Sequence, residues 1–424
     1  MTGRVTPLGV SLLTVAAWAV SLAVLSARPE LFVAALPLVL VLGMAALKRS
    51  APDYSVVHQV SAARVIEGES VWVTVTVTAR SAVPLMELVE VLPRDDGLGS
   101  GRSRALVALR AGQTTSYRYE VRGVRGAHDV GTVVVRARDR WGVRAWERRH
   151  VDRKVVRVYP RIAPLRSLPR PLHTQTSVGD YVSAALGEGI EPGDVRQFAP
   201  GDRLRQVNWR ASLRLGTLYV TQHHRERNAD VVLMLDTLTE VGLARESTLD
   251  LGVRAAASLA AAYLARKDRV GLITYGGTID SVKPAAGQIQ YERLADTLLR
   301  ASVVFTYVSK DLAFVPPSVL PSHALVVAVT PLLDPRFTKA TLDLAARGFD
   351  VVVIVVSPVD VTRSVLRGSL ADELACRLWA LERRARLDEF RRHGIVVLEW
   401  HPADSLELAL AGQGRRRARP VAAG

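Results

Sequence analysis

The sequence predicts an α/β domain with a doubly wound parallel sheet, preceded by an all-β sandwich and, at the amino end, a helical hairpin in a membrane. Three observations carry this. Uniformly apolar strand-length runs alternate with amphipathic helices through the carboxyl half. A strict period of two runs through residues 71–78 (VWVTVTVT). Two long apolar runs without a single charge occupy residues 8–25 and 31–47. The expected organisation is a hairpin over 1–50, a sandwich over 54–160, a linker over 161–180, a central segment over 181–228, the α/β domain over 229–410 and a basic tail over 411–424.

As helices, the two apolar runs measure about 27 and 25 Å at ~1.5 Å per residue, close to a hydrocarbon core of roughly 30 Å. Only SARPE separates them, so they form a tight antiparallel pair. Pro37 is tolerable in the second helix, where a neighbouring helix can help satisfy the freed carbonyl. Arg4 precedes the first span and Lys48 with Arg49 follows the second, whereas the turn offers only Arg28 beside Glu30. Positive charge collects on the cytoplasmic side, which puts both ends in the cytoplasm of an inner, plasma-membrane protein. A cleaved secretory signal followed by one span is the competing reading. Its apolar core is too long for that, and Leu25 sits poorly three residues before a cut after Ala27.

In residues 71–78, Val71, Val73, Val75 and Val77 share one face while Trp72 and the threonines take the other, as in a half-buried antiparallel strand. Further strands are expected at 86–92, 104–109, 115–121 and 132–138, separated by turn-forming EGE, RDDGLGSG and AGQ. Five or more short strands in about 100 residues predict an immunoglobulin-like sandwich. RGVRGAHDVG (122–131) reads as glycine turns closing that sheet. The proline-rich run at 161–171 reads as a stiff linker.

The α/β pattern begins at residues 231–235 (VVLML), which end on Asp236. Further buried strands fall at 269–275, 324–330, 351–356 and 395–400, with helices at 247–266, 289–300, 336–347 and 370–391. Ligands in such sheets bind at the carboxyl ends of strands, here including Asp236 and Thr330. Ahead of the sheet, Pro200, Gly201 and Asp202 form a turn, with Asp202 placed to cap a helix from about 203 to 214 that Gly216 terminates. Leu204, Val207, Trp209 and Leu213 would supply its apolar contacts, leaving Arg203, Arg205, Arg210 and Arg214 as a basic surface. Residues 186–193 (LGEGIEPG) read as a loop.

The stretch GDVRQFAPGDRLRQVNWRASLRLGTLYV resembles the signature of the bacterial domain of unknown function 58 family, roughly G-x-x-R-x-Y-x-x-G-D-x-x-x-x-I-x-W-x-x-S/T-A-R-x-G-x-L. Phe198 stands where the family often has Tyr, and Asn208 where Asp often precedes the Trp. The resemblance implies a von Willebrand factor A-like domain downstream, an inner-membrane setting and association with a MoxR-type AAA+ ATPase in complex assembly or cell-envelope functions. It also marks Gly201, Asp202, Arg203, Asn208, Trp209, Arg210 and Gly216 as contact or organising residues.

In the von Willebrand-like pattern an Asp and two serine hydroxyls after the first strand hold Mg²⁺, a hard cation that takes oxygen ligands in near-octahedral geometry. Here the loop reads Asp236-Thr237-Leu238-Thr239-Glu240, and the later loop places Thr330-Pro331 before Asp334. Leucine cannot ligate. Asp236, Thr239, Glu240, Thr330 and Asp334 are the residues left to form an irregular Mg²⁺ site, and no other cofactor is expected. There is no phosphate-binding loop, zinc-protease helix or nucleophile elbow. The lone Cys376 rules out an intramolecular disulfide and reads as a buried structural thiol. His223 and His224 are adjacent, which on a strand points them to opposite faces and makes them poor joint ligands.

Lysine plus arginine number 56 against 41 acidic residues, a net charge of +15 that favours anionic neighbours without naming one. The leading expectation is therefore a non-enzymatic, membrane-anchored scaffold or adaptor for protein partners. A divalent-metal-dependent ligand binder or hydrolase centred on Asp236 is its rival. A third reading is polyanion or lipid-surface binding through Arg415, Arg416, Arg417 and Arg419. Nucleic-acid binding is not expected, because no aromatic platform or recognition helix accompanies the charge.

Overall fold

The computed structural model describes residues 2–47, 51–91, 104–169, 182–199, 207–226, 230–243, 246–306, 312, 315–322 and 324–417. The chain divides into two compact units, Met1–Pro160 and Arg161–Gly424.

The first unit opens with a short strand, β1 (Thr2–Val5), and two long helices, α1 (Pro7–Ser26) and α2 (Pro29–Leu47). Both helices are long and apolar enough to cross a membrane. Most of their side chains face outward, while Ala16 and Ala23 on α1 and Ala35 and Ala45 on α2 are buried. Small residues let two backbones approach closely, the usual way apolar helices pack where no hydrophobic gain separates helix from lipid.

Eight strands follow: β2 (Tyr54–Val60), β3 (Arg64–Ile66), β4 (Ser70–Ala79), β5 (Val83–Glu90), β6 (Arg104–Leu109), β7 (Thr114–Arg122), β8 (Gly126–Arg138) and β9 (Arg144–Tyr159). One sheet runs β2-β4-β7 and the other β1-β9-β8-β5-β6, with β3 also on β9. The alternation in β4 plays out as the pattern demands: Val73, Val75 and Val77 share a core with Met86 and Leu88 of β5 and Val133 and Val135 of β8. Each such side chain contributes roughly 1.5–3 kcal/mol on leaving water. Residues 126–131, expected as turns, belong instead to β8. Gly131 (φ +96°) lies at a shift in the β8–β9 register, and a Cβ there would fall 2.1 Å from the Asp152 carbonyl oxygen. A bulge glycine and a turn glycine look alike in sequence, because both need the left-handed region.

The second unit holds a long irregular hairpin and a layered domain. β10 (Val182–Gln197) pairs antiparallel with β11 (Tyr219–Glu226), with register shifts between residues 182 and 195. Residues 186–193 are thus strand, not loop. Between the two strands lies α3 (Trp209–Leu215). The layered domain follows as β12 (Asp230–Thr237), α4 (Thr248–Ala265), β13 (Arg269–Gly276), β14 (Ile279–Ala285), α5 (Gln288–Arg300), β15 (Leu325–Thr330), α6 (Pro335–Ala346), β16 (Asp350–Val356), α7 (Pro358–Arg363), α8 (Leu370–Arg392), β17 (Val396–Trp400) and α9 (Leu406–Arg417).

Its sheet order is β14-β13-β12-β15-β16-β17. Five strands are parallel, and β14 is antiparallel to β13, so the sheet is mixed at one edge rather than wholly parallel. Alternation within β12 divides the core. Val231, Leu233 and Leu235 pack under α4, α5 and α9, whereas Val232 and Met234 pack under α6 and α8. Burial on both faces is what the unbroken apolar run of β12 encodes.

Candidate functional site

The central segment and the carboxyl ends of β12 and β15 hold most of the candidate residues expected from the sequence. α3 starts later than the sequence predicts. Val207 forms a bridge with Val220 of β11, which interrupts the helix expected over 203–214, and α3 begins at Trp209. The cap is Asn208, whose Oδ1 accepts the Ala211 N–H at 3.0 Å. Gly216 ends the helix in the left-handed conformation, φ +70°. Ser212 ties it to β11: its Oγ donates to the Asn208 carbonyl at 2.8 Å and accepts the Tyr219 N–H at 2.9 Å. Gly201, Asp202 and Arg203, together with the cap expected at Asp202, lie outside the described residues.

Trp209 and Leu213 are not the inward contacts the sequence reading makes them. They are 61 % and 84 % exposed, four residues apart and hence on one face of α3. Arg210 and Arg214 are exposed beside them. Only Val207, among the described members of that expected apolar set, is buried. The sequence signal was ambiguous because a tryptophan beside arginines suits a half-buried helix as well as a displayed one.

At the sheet end, Asp236 is 1 % exposed. Its Oδ2 accepts the Thr330 hydroxyl at 2.6 Å and its Oδ1 the Leu238 N–H at 3.0 Å, while Thr330 Oγ1 accepts the Leu332 N–H at 2.8 Å. Burial pushes the Asp236 carboxyl up to about 7, against the pull of these two hydrogen bonds and with a further push from Asp334. Asp334 caps α6 and grips Arg336, whose Nε and Nη2 donate to its two oxygens at 2.9 and 2.6 Å. That grip holds the Asp334 carboxyl below the usual range. Arg336 also donates to the Thr306 carbonyl at 2.7 Å.

The loop after β15 is clamped from α8. Arg383 donates to the Pro331 carbonyl at 2.6 Å and Arg386 to the Leu332 carbonyl at 3.2 Å. Leu332 is held at φ +53°, an unusual conformation for a non-glycine residue. Burial lowers Arg383 to about 10. Arg336, Arg383 and Arg386 were not singled out in sequence. Their one signal is the three-residue spacing of the last two, which puts both on one side of α8.

The structure therefore brings together Asp236 and Thr330 and sets Asp334 close to them. Glu240 is exposed, and Thr239 is half-buried with an Oγ1 that has no hydrogen-bond partner among the described residues. A hard dication needs several oxygens free to turn towards it. Here Leu238 beside Asp236 is buried and apolar, Asp334 is spoken for by a guanidinium, and Asp236 is buried beside Arg336's charge. Among the described residues no group of three or more His, Cys, Asp or Glu could hold a metal ion. As arranged, these residues do not fit Mg²⁺. Cys376 is buried, as read from its helix. The side chains of His223 and His224 lie outside what is described.

A second polar cluster, unmarked in the sequence reading, sits between the two sheets of the first unit. His58 Nε2 lies 3.4 Å from Glu90 Oε2 with both side chains buried, and Glu90 Oε1 accepts the Gly131 and Thr132 N–H groups at 2.9 and 3.1 Å. Tyr54 and His150 pack ring to ring, 5.4 Å between centroids. Burial raises the Tyr54 hydroxyl to about 12 and pushes the His150 imidazole down.

Residues 194–364, from the end of β10 through α7, match the family described as "Protein of unknown function DUF58". The match covers less than half of the chain and contains the α3 segment, Asp236, Thr330 and Asp334. Uncharacterized proteins of Mycobacterium tuberculosis and Mycobacterium bovis are 29 % identical over 124 residues, which is 29 % of this chain and 38 % of theirs. The chain thus spans well under half the length of these curated relatives. Among solved structures, the cupredoxin domain of amoB from Nitrosocaldus yellowstonii matches 25 % of this chain and 86 % of its own, at 9 % identity and a TM-score of 0.19. A fragment of native alpha-2-macroglobulin from Escherichia coli matches 26 % of this chain and 25 % of its own, at 14 % identity and a TM-score of 0.18. At those scores neither bears on the fold or the function of this chain.

Proposed function

We propose that this DUF58 protein is a non-enzymatic, membrane-anchored interaction scaffold. The amino-terminal hairpin inserts in the plasma membrane with the bulk of the chain in the cytoplasm, the sandwich acts as a spacer, and α3 presents the docking face. The observation that carries the reading is the exposure of Trp209 and Leu213 on a helix whose cap, terminator and hydroxyl bond to β11 all hold it in place. Trp and Arg are over-represented where binding energy concentrates at interfaces. Arg210 and Arg214 select for an acidic partner surface. By family resemblance, a MoxR-type AAA+ ATPase is the partner class to try first.

The test is co-purification from native membranes of wild-type protein and of a Trp209→Ala, Arg210→Glu double variant. Loss of an ATPase from the variant, with unchanged circular dichroism, supports the proposal. Equal recovery from both removes α3 as the docking face. Against the metal-dependent reading, the Asp236 oxygens are engaged with Thr330 and Leu238 and those of Asp334 with Arg336.

A further inference from the structure

The hairpin and the sandwich of the first unit are joined by more than a peptide linker. β1 is the edge strand of the larger sheet, paired with β9 through Thr2–Glu147, Gly3–Trp146, Arg4–Ala145 and Val5–Arg144. Thr6 continues the junction. Its N–H donates to the Val143 carbonyl at 2.9 Å, its hydroxyl donates to the Gly142 carbonyl, and the same oxygen caps α1 by accepting the Gly9 N–H at 3.0 Å. Gly9 lies so close that a Cβ would stand 2.6 Å from the Val143 oxygen, and a Cβ on Gly142 would stand 3.4 Å from Leu8. The turn at residues 139–143 is therefore held beside the first turn of a helix that enters the membrane at about Pro7.

The layer between hydrocarbon and water is roughly 5–8 Å deep on each side, so a group held at this level meets lipid head groups. What the turn and its flanks offer there is amphipathic and basic. Trp141 is 39 % exposed, with the Arg140 guanidinium 5.7 Å from its ring centroid. Arg4 on β1 and Arg138 on β8 flank Ala145 of β9 in register, so they project from the same face of the sheet. Arg144 adjoins the turn. Among the described residues none of these four guanidinium groups is paired with a carboxylate. The acid of the turn, Asp139, is drawn inward: one oxygen accepts the Arg144 N–H and the other is buried. Glu147, one row further from the helix, pairs with Arg136 at 3.0 Å.

We propose that the 139–143 turn, through Trp141 and Arg4, Arg138, Arg140 and Arg144, binds the anionic phospholipid head groups of the leaflet that α1 enters, and so holds the sandwich at a fixed attitude to the membrane. Tryptophan favours this layer because its ring is apolar and its N–H polar, and each arginine near an anionic surface favours the docked state about fivefold. The proposal rests on insertion of the hairpin, and its test keeps the two apart.

Full-length protein in a Cys376→Ala background is labelled with an environment-sensitive fluorophore at one of three single cysteines and reconstituted in nanodiscs. The positions are Leu40→Cys on the outer side of α2, Ala145→Cys between Arg4 and Arg138 beside the turn, and Ala63→Cys. Ala63 sits beside Arg157, about 40 Å along β9 from the turn at ~3.3 Å per residue. The discs hold phosphatidylcholine with a minority of phosphatidylglycerol, or phosphatidylcholine alone. Spin-labelled lipid and aqueous iodide serve as quenchers. The proposal expects lipid quenching at 40 and 145 and iodide quenching at 63. It further expects Arg138→Gln with Arg140→Gln to lower the docked-to-undocked ratio at 145 about 25-fold, with the same trend when phosphatidylglycerol is left out.

Lipid quenching at 40 with iodide access at 145 equal to that at 63 overturns the head-group contact and leaves the hairpin standing. Absence of lipid quenching at 40 overturns the hairpin reading itself. Shielding of 145 that persists in detergent, without lipid, assigns the turn to a protein neighbour and overturns the proposal.

Discussion

Asp236 sets the terms at the residue scale. Its pKa stands at about 7 against an ordinary 3.8 because burial removes water from the charged form. A group whose folded pKa is raised holds its proton where the unfolded chain has lost it. The stability it confers is thus fully present below about pH 4 and drains away as pH rises through 7. Three pKa units correspond to on the order of 4 kcal/mol. Asp236→Asn keeps an acceptor for the Leu238 N–H and cannot ionise. Chemical denaturation at steps between pH 4 and 8 should show wild type losing stability relative to the variant over that window. Parallel profiles would mean that the carboxyl titrates normally. Asp236 and Thr330 were legible as a pair because each ends an apolar strand, and parallel neighbours bring such ends together. Arg383 was not legible: its target is the carbonyl of Pro331, and no side-chain pattern announces a backbone acceptor.

At the scale of the element, α3 shows what local signals miss. A Pro-Gly-Asp turn followed by basic and apolar residues reads as a helix from 203, yet Val207 pairs with Val220 and delays the start to Trp209. Pairing with a strand thirteen residues downstream leaves no trace in local propensity. The glycine end at Gly216 was legible, because it depends on one residue's own conformational freedom. The proposed docking role makes the cap testable. Asn208→Ala removes the acceptor for the Ala211 N–H and should cost about 1 kcal/mol of local stability. Amide exchange over 209–216 should then speed up about fivefold, and partner recovery should fall although Trp209 and Arg210 are intact. Unchanged exchange would show that the hydroxyl bond from Ser212 to Tyr219 alone holds the helix.

On the scale of the whole molecule, the layered order of the second unit's sheet followed from unbroken apolar runs, which require burial on both faces of a sheet. The antiparallel edge strand β14 escaped notice because Ile279–Ala285 is only partly buried and carries no such run. The same blindness hid β1. Four residues, TGRV, have no strand period to detect, and their structure comes from the edge of β9 that receives them. This dependence predicts how the first unit responds to dissection. A chain beginning at residue 51 loses the hairpin and also the partner of β9 between Arg144 and Glu147, leaving unpaired N–H and C=O groups beside buried Trp146. Open edges recruit other edges. Such a fragment should self-associate in sedimentation velocity in a concentration-dependent way. A fragment that restores residues 2–5 through a short flexible linker to residue 51 should remain monomeric. Equal behaviour of the two would show that β1 merely lies on the sheet. A monomeric restored fragment would show that the membrane-proximal segment completes the fold of the sandwich, so that insertion and folding are coupled through β1 and Thr6.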